Sequence, residues 1–236
     1  MKLMTLGSGS KGNCHILESN GQIILLDCGV TIGRIKRCLD HDFSLLAGCI
    51  VTHKHHDHAA AVKDLRAYGV DVLTPYELEI KKVMRSMRGE FKVMSFPVRE
   101  PSTGRWLHSD SDSTECPVVA YIIWTSDNKC VFYLTDVEYM PYFLKKYQFQ
   151  TMIIGCNYCG DESIDRAKAL HVYRGHLGLN TVKEMIRVNQ TPKLEHIVLC
   201  HLSQTADDER MVREVQEVVG EDVTVDIAVY KKVIEL

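Results

Sequence analysis

Four histidines fall within six positions in the stretch Val51-Thr52-His53-Lys54-His55-His56-Asp57-His58-Ala59-Ala60. His53 and His55 are two residues apart, so in an extended chain their side chains point the same way. Asp57 and His58 follow at the turn into a helical pattern. Imidazole and carboxylate suit Zn²⁺, Mn²⁺ and Fe, and a hydrolytic site needs several such ligands to converge. The stretch therefore predicts a metal site directly after a buried strand.

The composition is that of a soluble globular chain. The 236 residues include 28 Lys and Arg against 31 Asp and Glu, a net charge of −3, with 45% hydrophobic and 25% charged residues. These fractions exclude a disordered or fibrous chain. No segment approaches the ~20 apolar residues of a membrane span, and the first seven residues lack the pattern of a signal peptide. The nine cysteines, an odd and scattered set, predict buried thiols in a reducing cytoplasm.

Hydrophobic periodicity predicts strands in runs, interrupted by helices, in both halves of the chain. The predicted strands are Lys2–Leu6, Cys14–Glu18, Gln22–Asp27, Gly48–Thr52, Val70–Leu73, Phe91–Phe96, Val118–Trp124, Cys130–Leu134, Met152–Ile154, Ile197–Cys200 and Val223–Val229. The predicted helices are Thr31–Leu39, Ala59–Tyr68, Tyr76–Met87, Tyr142–Tyr147, Ser163–Tyr173, Leu179–Val188 and Ala206–Val219, and Arg99–Pro117 reads as a long loop. Strands and helices do not strictly alternate, so two mixed sheets with helices outside are favoured over a doubly wound parallel sheet.

At the histidine cluster the chain resembles the metallo-β-lactamase superfamily. The superfamily motif His-X-His-X-Asp-His is matched at every fixed position by residues 53–58. Three more segments look like family motifs: Ile24–Gly29, Tyr133–Asp136 and Leu199–Ser203. The resemblance implies an α/β (α+β) chain forming one domain over residues 1–236. Its architecture would be a four-layer αββα sandwich with a dinuclear site at the sheet edges.

The resemblance also implies a role for each matching residue. His53 and His55 would bind a first metal, and Asp136 would bridge two metals. The second metal would be bound by Asp57, His58 and His201. Asp27 would orient a ligand histidine through its other ring nitrogen. The implied cofactors are two divalent ions, Zn²⁺ first, with Mn²⁺ or Fe as alternatives.

The third protein ligand of the first metal stays open. His108 is the only histidine between residues 59 and 135, and it lies in the long loop where the family expects a histidine. The spacing of the family motif instead aligns Asp112, with Asp110 nearby. We expect His108, because imidazole is the commonest ligand of this kind. The remaining alternative is that this ligand is missing and that one metal is weakly bound.

The N-terminal segment Gly7-Ser8-Gly9-Ser10-Lys11-Gly12-Asn13 resembles the small YycJ-type (WalJ-like) nuclease branch, which is akin to RNase J and RNase Z. In that branch the Gly-Ser loop lies by the metals, where backbone N–H groups suit a phosphate. Gly155–Asn157 looks like the Glu-X-Asn motif of that branch, with Gly in place of Glu. Residues 175–178 look like its Gly-His-Leu-Ser motif. The resemblance implies substrate contacts from Ser8, Asn157 and His176.

The expected activity is metal-dependent hydrolysis of a phosphodiester, with a metal-activated hydroxide held by Asp57 and Asp136. His176 would contact the phosphate or protonate the leaving oxygen, or would merely cap a helix. The expected substrate is single-stranded or end-processed DNA or RNA. A small molecule (a cyclic nucleotide, thioester or lactone) and a non-catalytic scaffold are the alternatives. Candidate basic residues along a nucleic-acid path are Arg34, Lys36, Arg37, Lys54, Arg99, Arg105, Lys145, Lys146, Arg166 and Arg174.

Overall fold

The computed structural model describes residues 1–76, 81–110, 114–160 and 172–236, and they form two β-sheets. The first sheet holds β1 (Lys2–Gly7), β2 (Cys14–Ser19), β3 (Gln22–Leu26), β4 (Leu46–Ile50), β5 (Val72–Leu73) and β13 (Val233–Glu235), in the order β13-β1-β2-β3-β4-β5. The second holds β6 (Lys81–Ser86), β7 (Gly89–Pro97), β8 (Val119–Trp124), β9 (Cys130–Leu134), β10 (Thr151–Gly155), β11 (His196–Cys200) and β12 (Thr224–Ile227), in the order β12-β11-β10-β9-β8-β7-β6.

Helices cover the outer faces of the sheets. Those with both ends in the described ranges are α1 (Ile32–Cys38), α2 (His56–Ala59), α3 (Val62–Ala67), α4 (Leu179–Asn189) and α5 (Asp208–Val219). Residues 172–175 are also helical, and Lys145–Tyr147 forms one turn of 3₁₀ helix.

Alternation along each strand creates the layers, because successive side chains point to opposite faces of a sheet. On β9, Val131 packs with Leu26 of the first sheet in the core between the sheets. Its neighbour Phe132 packs outward with Val182 of α4 and Met211 of α5. The outer face of the first sheet is covered in the same way, with Leu25 against Ile35 of α1 and Leu65 of α3. The predicted α/β class and αββα sandwich are confirmed.

The parallel parts of both sheets determine where polar groups gather. Strands β3, β4 and β5 run parallel, as do β9, β10, β11 and β12. The carboxyl ends of parallel strands meet at the same edge of a sheet. Asp27 follows β3, Thr52 follows β4, Asp136 follows β9 and His201 follows β11, so these residues lie at the two strand-end edges.

One predicted helix is wrong where it can be compared. Lys81–Ser86, inside the predicted helix Tyr76–Met87, is the edge strand β6, paired antiparallel with β7. Its residues are mostly good helix formers, but Met84 is fully buried in the core between the sheets and tertiary packing overrides propensity. Residues 77–80 lie outside the described residues.

Three smaller expectations also need correction. The predicted helix Ala59–Tyr68 is helical as α3 only from Val62, and Ala59 ends the preceding helix α2, because Ala61 N–H donates to the Cys28 carbonyl (3.0 Å) instead of continuing one helix. The predicted helix Tyr142–Tyr147 is helical only over its last three residues. Strand β13 was not expected, and it pairs with β1 in the register Leu3↔Ile234. Most of the predicted helix Ser163–Tyr173 lies outside the described residues.

All nine cysteines are free, and eight of them are buried. The cytoplasmic location expected from this usage stays a prediction. Among the described residues, every helix is too short or too polar to cross a bilayer.

Gly29 marks the closest approach between two segments of the site. A Cβ at this position would lie 1.6 Å from the Asp57 carbonyl oxygen and 2.6 Å from the His58 amide nitrogen. We expect Gly29→Ala to displace the backbone of Asp57 and His58. It should cost about 1–3 kcal/mol of unfolding free energy or more and weaken Zn²⁺ binding. Thermal unfolding and a zinc titration measure these effects.

Gly33 offers the matched control. A Cβ there meets only the Arg37 side chain at 3.6 Å, within helix α1. Because Ala is the better helix former, Gly33→Ala should leave metal binding intact and raise stability by up to ~1 kcal/mol. Equal behaviour of the two variants would contradict the close-approach argument.

Candidate metal centre

Two sets of ligand atoms converge at the strand-end edges. His53, His55 and His108 form one set, and within it the ligand atoms lie within 4.8 Å of one another. The second set, with the same spacing, consists of Asp57, His58, Asp136 and His201. Every metal ligand suggested by the sequence resemblance is therefore found in one of the two sets. The metal roles themselves stay predictions.

The strand-end residues turn sharply to point into the site. Asp27, Asp136 and His201 have backbone φ angles of 57°, 52° and 52°. Left-handed backbone is uncommon for residues other than glycine and costs of order 1–3 kcal/mol each. The chain stores this strain at three positions where a side chain leaves a strand end toward the ligands.

The Asp136 carboxylate lies between the two sets. Its Oδ2 is 2.8 Å from His58 Nε2, 3.2 Å from His201 Nε2 and 3.7 Å from His53 Nε2. One carboxylate oxygen thus faces ligand nitrogens of both sets. This is the position that a bridging ligand requires.

Asp27 holds His58 from behind. Asp27 is fully buried, and its Oδ2 accepts the Nδ1–H of His58 (2.8 Å) and the hydroxyl of Tyr133 (2.5 Å). Its Oδ1 accepts the backbone N–H of Thr52 (2.7 Å), and the Thr52 hydroxyl bonds to the same carboxylate. With Nδ1 of His58 engaged, Nε2 is left facing the second set. The contact is the one expected of Asp27, in which a carboxylate fixes the tautomer of a ligand histidine.

The first set is oriented by the same principle. His55 Nε2 contacts Asp110 Oδ1 (2.5 Å), which leaves Nδ1 facing His108. His108 Nδ1 lies 3.0 Å from the Gly175 carbonyl and donates to it, which leaves Nε2 facing His55 at 3.1 Å. Asp110 also accepts from Lys54 (2.8 Å). This geometry favours His108 as the third ligand and places Asp110 behind His55, while Asp112 lies outside the described residues.

A third group combines His55, Asp110 and Cys116. Burial raises the pKa of the Cys116 thiol to about 11, so the sulfur is protonated at neutral pH. The two oxygens of Asp110 are already engaged by His55 and Lys54. We therefore regard this group as part of the support behind His55.

Burial and charge set the protonation of the ligands. Burial lowers the pKa of His53 well below its usual value and that of His108 to about 3. For His58 burial acts in the same direction, but Asp27 and Asp136 outweigh it and raise the pKa well above its usual value. Burial opposes the ionisation of Asp136, yet the surrounding imidazoles hold its pKa well below the usual range. Metals bind neutral imidazole and ionised carboxylate, so His58 must release a proton when a metal binds.

The unsatisfied atoms fit bound cations. His53 Nε2 and His201 Nε2 are buried and have no hydrogen-bond partner. Buried polar nitrogens of this kind are costly unless something coordinates them. One of these two nitrogens belongs to each ligand set, and both face the Asp136 carboxylate. The donor chemistry of nitrogen and carboxylate oxygen suits Zn²⁺, Mn²⁺ or Fe, in agreement with the expected divalent ions.

The Gly-Ser loop and Asn157 adjoin the second set. Ser8 Oγ accepts the backbone N–H of His201 (2.8 Å), and the Asn157 side-chain amide lies 3.1 Å from His201 Nδ1. Ser8 and Asn157 therefore sit directly behind a ligand. Their predicted contacts with substrate stay predictions.

His176 lies at the mouth of the site. Its Nδ1 is 3.0 Å from Asp136 Oδ1, and its ring stacks on His201 with centroids 5.3 Å apart. The side chain is 15% exposed, whereas His58 is fully buried. His176 thus lies beside the candidate metal centre, and its expected role in the chemistry stays a prediction.

Sequence reasoning missed three supporting residues, Thr52, Tyr133 and Asn13, and considered a fourth, Asp110, only as an alternative metal ligand. Thr52 and Tyr133 bind Asp27, Asp110 binds His55, and the Asn13 amide lies 2.9 Å from His58 Nε2. Thr52 adjoins the motif and Tyr133 stands three residues before Asp136, but neither position carries a signal for its partner. Asn13, at the end of a Gly-Ser loop, reads only as a turn residue.

The fold is that of metallo-β-lactamase fold proteins. YhfI of Bacillus subtilis, described by that fold name, superposes with a TM-score of 0.68 at 17% identity, over 98% of this chain and 97% of that chain. Human tRNase Z, short form, superposes with a TM-score of 0.59 at 12% identity, over 100% and 99%. At these identities the likeness establishes the fold alone. The predicted resemblance is confirmed at that level, and the YycJ-type branch stays a prediction.

One curated protein is similar in sequence. The chain is 26% identical over 136 residues to the anti-Pycsar protein Apyc1 of Bacillus phage 010DV004. The match covers 51% of this chain and 53% of the phage protein, so it spans about half of that relative. No family model matches the chain.

Removing the Asp27 charge tests the support behind His58. In Asp27→Asn one acceptor oxygen becomes an amide donor that faces the donors Thr52, Tyr133 and His58. We expect Zn²⁺ affinity to fall about 10–100-fold. Competition with a chromophoric chelator measures the affinity, and circular dichroism checks the fold. The exposed Asp222→Asn should bind Zn²⁺ like the unaltered protein, and equal affinities for both variants would refute the role of Asp27.

Proposed function

We propose that this protein is a metal-dependent hydrolase of phosphodiesters that cleaves single-stranded nucleic acid. One observation carries the proposal, namely the two contacts of Asp136. Its Oδ2 faces the ligand nitrogens of both sets, and its Oδ1 faces His176 Nδ1. A candidate proton donor is thus held directly beside a candidate dinuclear metal centre.

Two divalent ions at such a centre supply an activated water nucleophile and electrostatic stabilisation of a phosphoryl group. The residues that would hold them are His53, His55 and His108 on one side and Asp57, His58 and His201 on the other, with Asp136 between. Asp57 is 27% exposed, so its carboxylate also faces the solvent from which water and substrate enter. His176 would donate a proton to the leaving oxygen.

The proton donor favours a phosphodiester over a thioester. The alkoxide that leaves a nucleotide chain is strongly basic and needs a proton. The thiolate that leaves a thioester is a far weaker base and does not. General acid catalysis contributes only where the leaving group is basic. Human tRNase Z has the same fold, which supports the choice as an analogy of fold.

A leaving-group comparison tests the role of His176. We expect His176→Gln to lower kcat for a thymidine dinucleotide about 10²–10⁴-fold. With thymidine 5′-(p-nitrophenyl phosphate) the loss should be much smaller, because p-nitrophenolate leaves without protonation. The exposed His41→Asn is the control, since His41 has a φ of 60° that Asn tolerates. Equal losses on the two substrates, with metal content unchanged, would exclude a general acid.

The nuclease part is tested on 5′-labelled single-stranded DNA and RNA with Zn²⁺- or Mn²⁺-loaded protein. The wild type should produce a ladder whose direction gives the polarity. Asp57→Ala should reduce cleavage about a hundredfold or more, because it removes a ligand of the second set. The exposed Asp64→Ala on α3 should cleave normally.

Each alternative has its own result in these assays. Intact strands together with hydrolysis of a small phosphodiester would replace the nuclease with a small-molecule phosphodiesterase. Bound metal without hydrolysis of any phosphodiester would contradict the proposed function as a whole.

A further inference from the structure

A cleft of about 300 Å³ opens beside the second ligand set. Asp57 lines it from the metal side, and Lys11 of the Gly-Ser loop and Arg34 of α1 line it from the other. The hydroxyl residues Ser10 and Thr31 also line it. Because Asp57 belongs both to the cleft and to the second set, a ligand in the cleft would lie next to the reacting centre.

The two cations of the cleft are in no ion pair with a described residue, although the Asp57 carboxylate lines the same cleft. Among the described residues, no carboxylate lies within ion-pair distance of Lys11 or Arg34. Two other basic candidates differ, since Lys54 is paired with Asp110 and Arg105 with Glu138. Arg34 Nη1 donates to the Leu6 carbonyl (3.0 Å), which fixes one end of its guanidinium at the cleft. A chain with net charge −3 thus presents a local positive site.

An exposed aromatic ring extends this positive site. The Arg34 guanidinium carbon lies 5.5 Å from the centroid of the Tyr230 ring, and Lys231 Nζ lies 5.5 Å from the same centroid. Tyr230 is 52% exposed. Its backbone is held by a bridge to Thr5 of β1, and Lys231 N–H donates to the Thr5 carbonyl (2.8 Å). The ring therefore lies beside two cations, in the connection between β12 and β13 that these contacts hold against β1.

We propose that this cleft and Tyr230 bind the nucleotide adjacent to the scissile phosphodiester, with Lys11 and Arg34 on its phosphate and Tyr230 stacked on its base. The inference rests on the proposed function, because it identifies the substrate as a strand of at least two nucleotides. Cations beside an exposed aromatic ring are the combination by which proteins bind single strands without reading sequence. The site requires phosphate and a base together.

Direct binding tests the cleft without hydrolysis. The probe is a fluorescein-labelled phosphorothioate decathymidylate, titrated with metal-loaded protein and followed by anisotropy at several salt concentrations. Lys11→Ala and Arg34→Ala should each weaken binding about fivefold to tenfold and reduce the salt slope by about 0.7. Arg34→Lys should retain the slope. Lys193→Ala, an exposed change before β11 and so at the opposite edge of the second sheet, should change neither quantity.

The aromatic contact has a different signature. Tyr230→Leu should weaken binding about fivefold or more without changing the salt slope, because stacking involves no counterion release. Tyr230→Phe should bind like the wild type. A decaadenylate probe should show the same pattern, since every base has a stacking face.

The results separate this inference from the proposed function. If the wild type hydrolyses phosphodiesters but substitutions of Lys11, Arg34 and Tyr230 leave strand binding unchanged, the proposed nucleotide site is wrong and the proposed function stands. If binding depends on all three but no phosphodiester is hydrolysed, the function fails and the strand site stands. If thymidine monophosphate competes as effectively as the unlabelled decamer, that result would contradict a site for a nucleotide strand and would indicate a mononucleotide site. Failure of the wild type to bind the decamer would also overturn the inference.

Discussion

The hydrogen bond between the Asp27 carboxylate and His58 Nδ1 is the contact on which the rest of the site depends. Both groups are fully buried, and an ionised carboxylate in such a place is costly unless it is paired and fully hydrogen-bonded. Thr52 and Tyr133 complete its shell. Because each partner comes from a different segment, the carboxylate fixes the end of β3, the end of β4 and helix α2 relative to one another.

Tyr133 extends this constraint across the core. It lies on β9 of the second sheet, yet its hydroxyl reaches Asp27 of the first sheet. The candidate metal centre is divided in the same way, since His53 to His58 follow a strand of the first sheet while Asp136 and His201 follow strands of the second. The two halves of the ligand set are in register only while the sheets remain packed. Packing of the core between the sheets is thus a condition for metal binding as well as for stability.

The sequence allowed prediction of features whose cause is local. The motif around His53 is contiguous, and alternation identified most strands of both sheets. Prediction from the sequence failed where a contact with a distant residue determines the secondary structure. Lys81–Ser86 forms a strand because β7 pairs with it, and the break between α2 and α3 follows from the Cys28 carbonyl. Asp110 is acidic and close to the motif in space, but only its contact with His55 Nε2 shows which role it takes.

The hydrogen bonds behind the candidate ligands orient their side chains toward the centre. Asp27, Asp110 and the Gly175 carbonyl each engage one nitrogen of a histidine, and the other nitrogen then faces inward. The left-handed backbone at Asp136 and His201 adds strain that the surrounding sheets must offset. Cations binding between the two sets would relieve the unsatisfied nitrogens of His53 and His201. The strand ends thus combine backbone strain with a preorganised set of candidate ligands, a combination typical of functional sites.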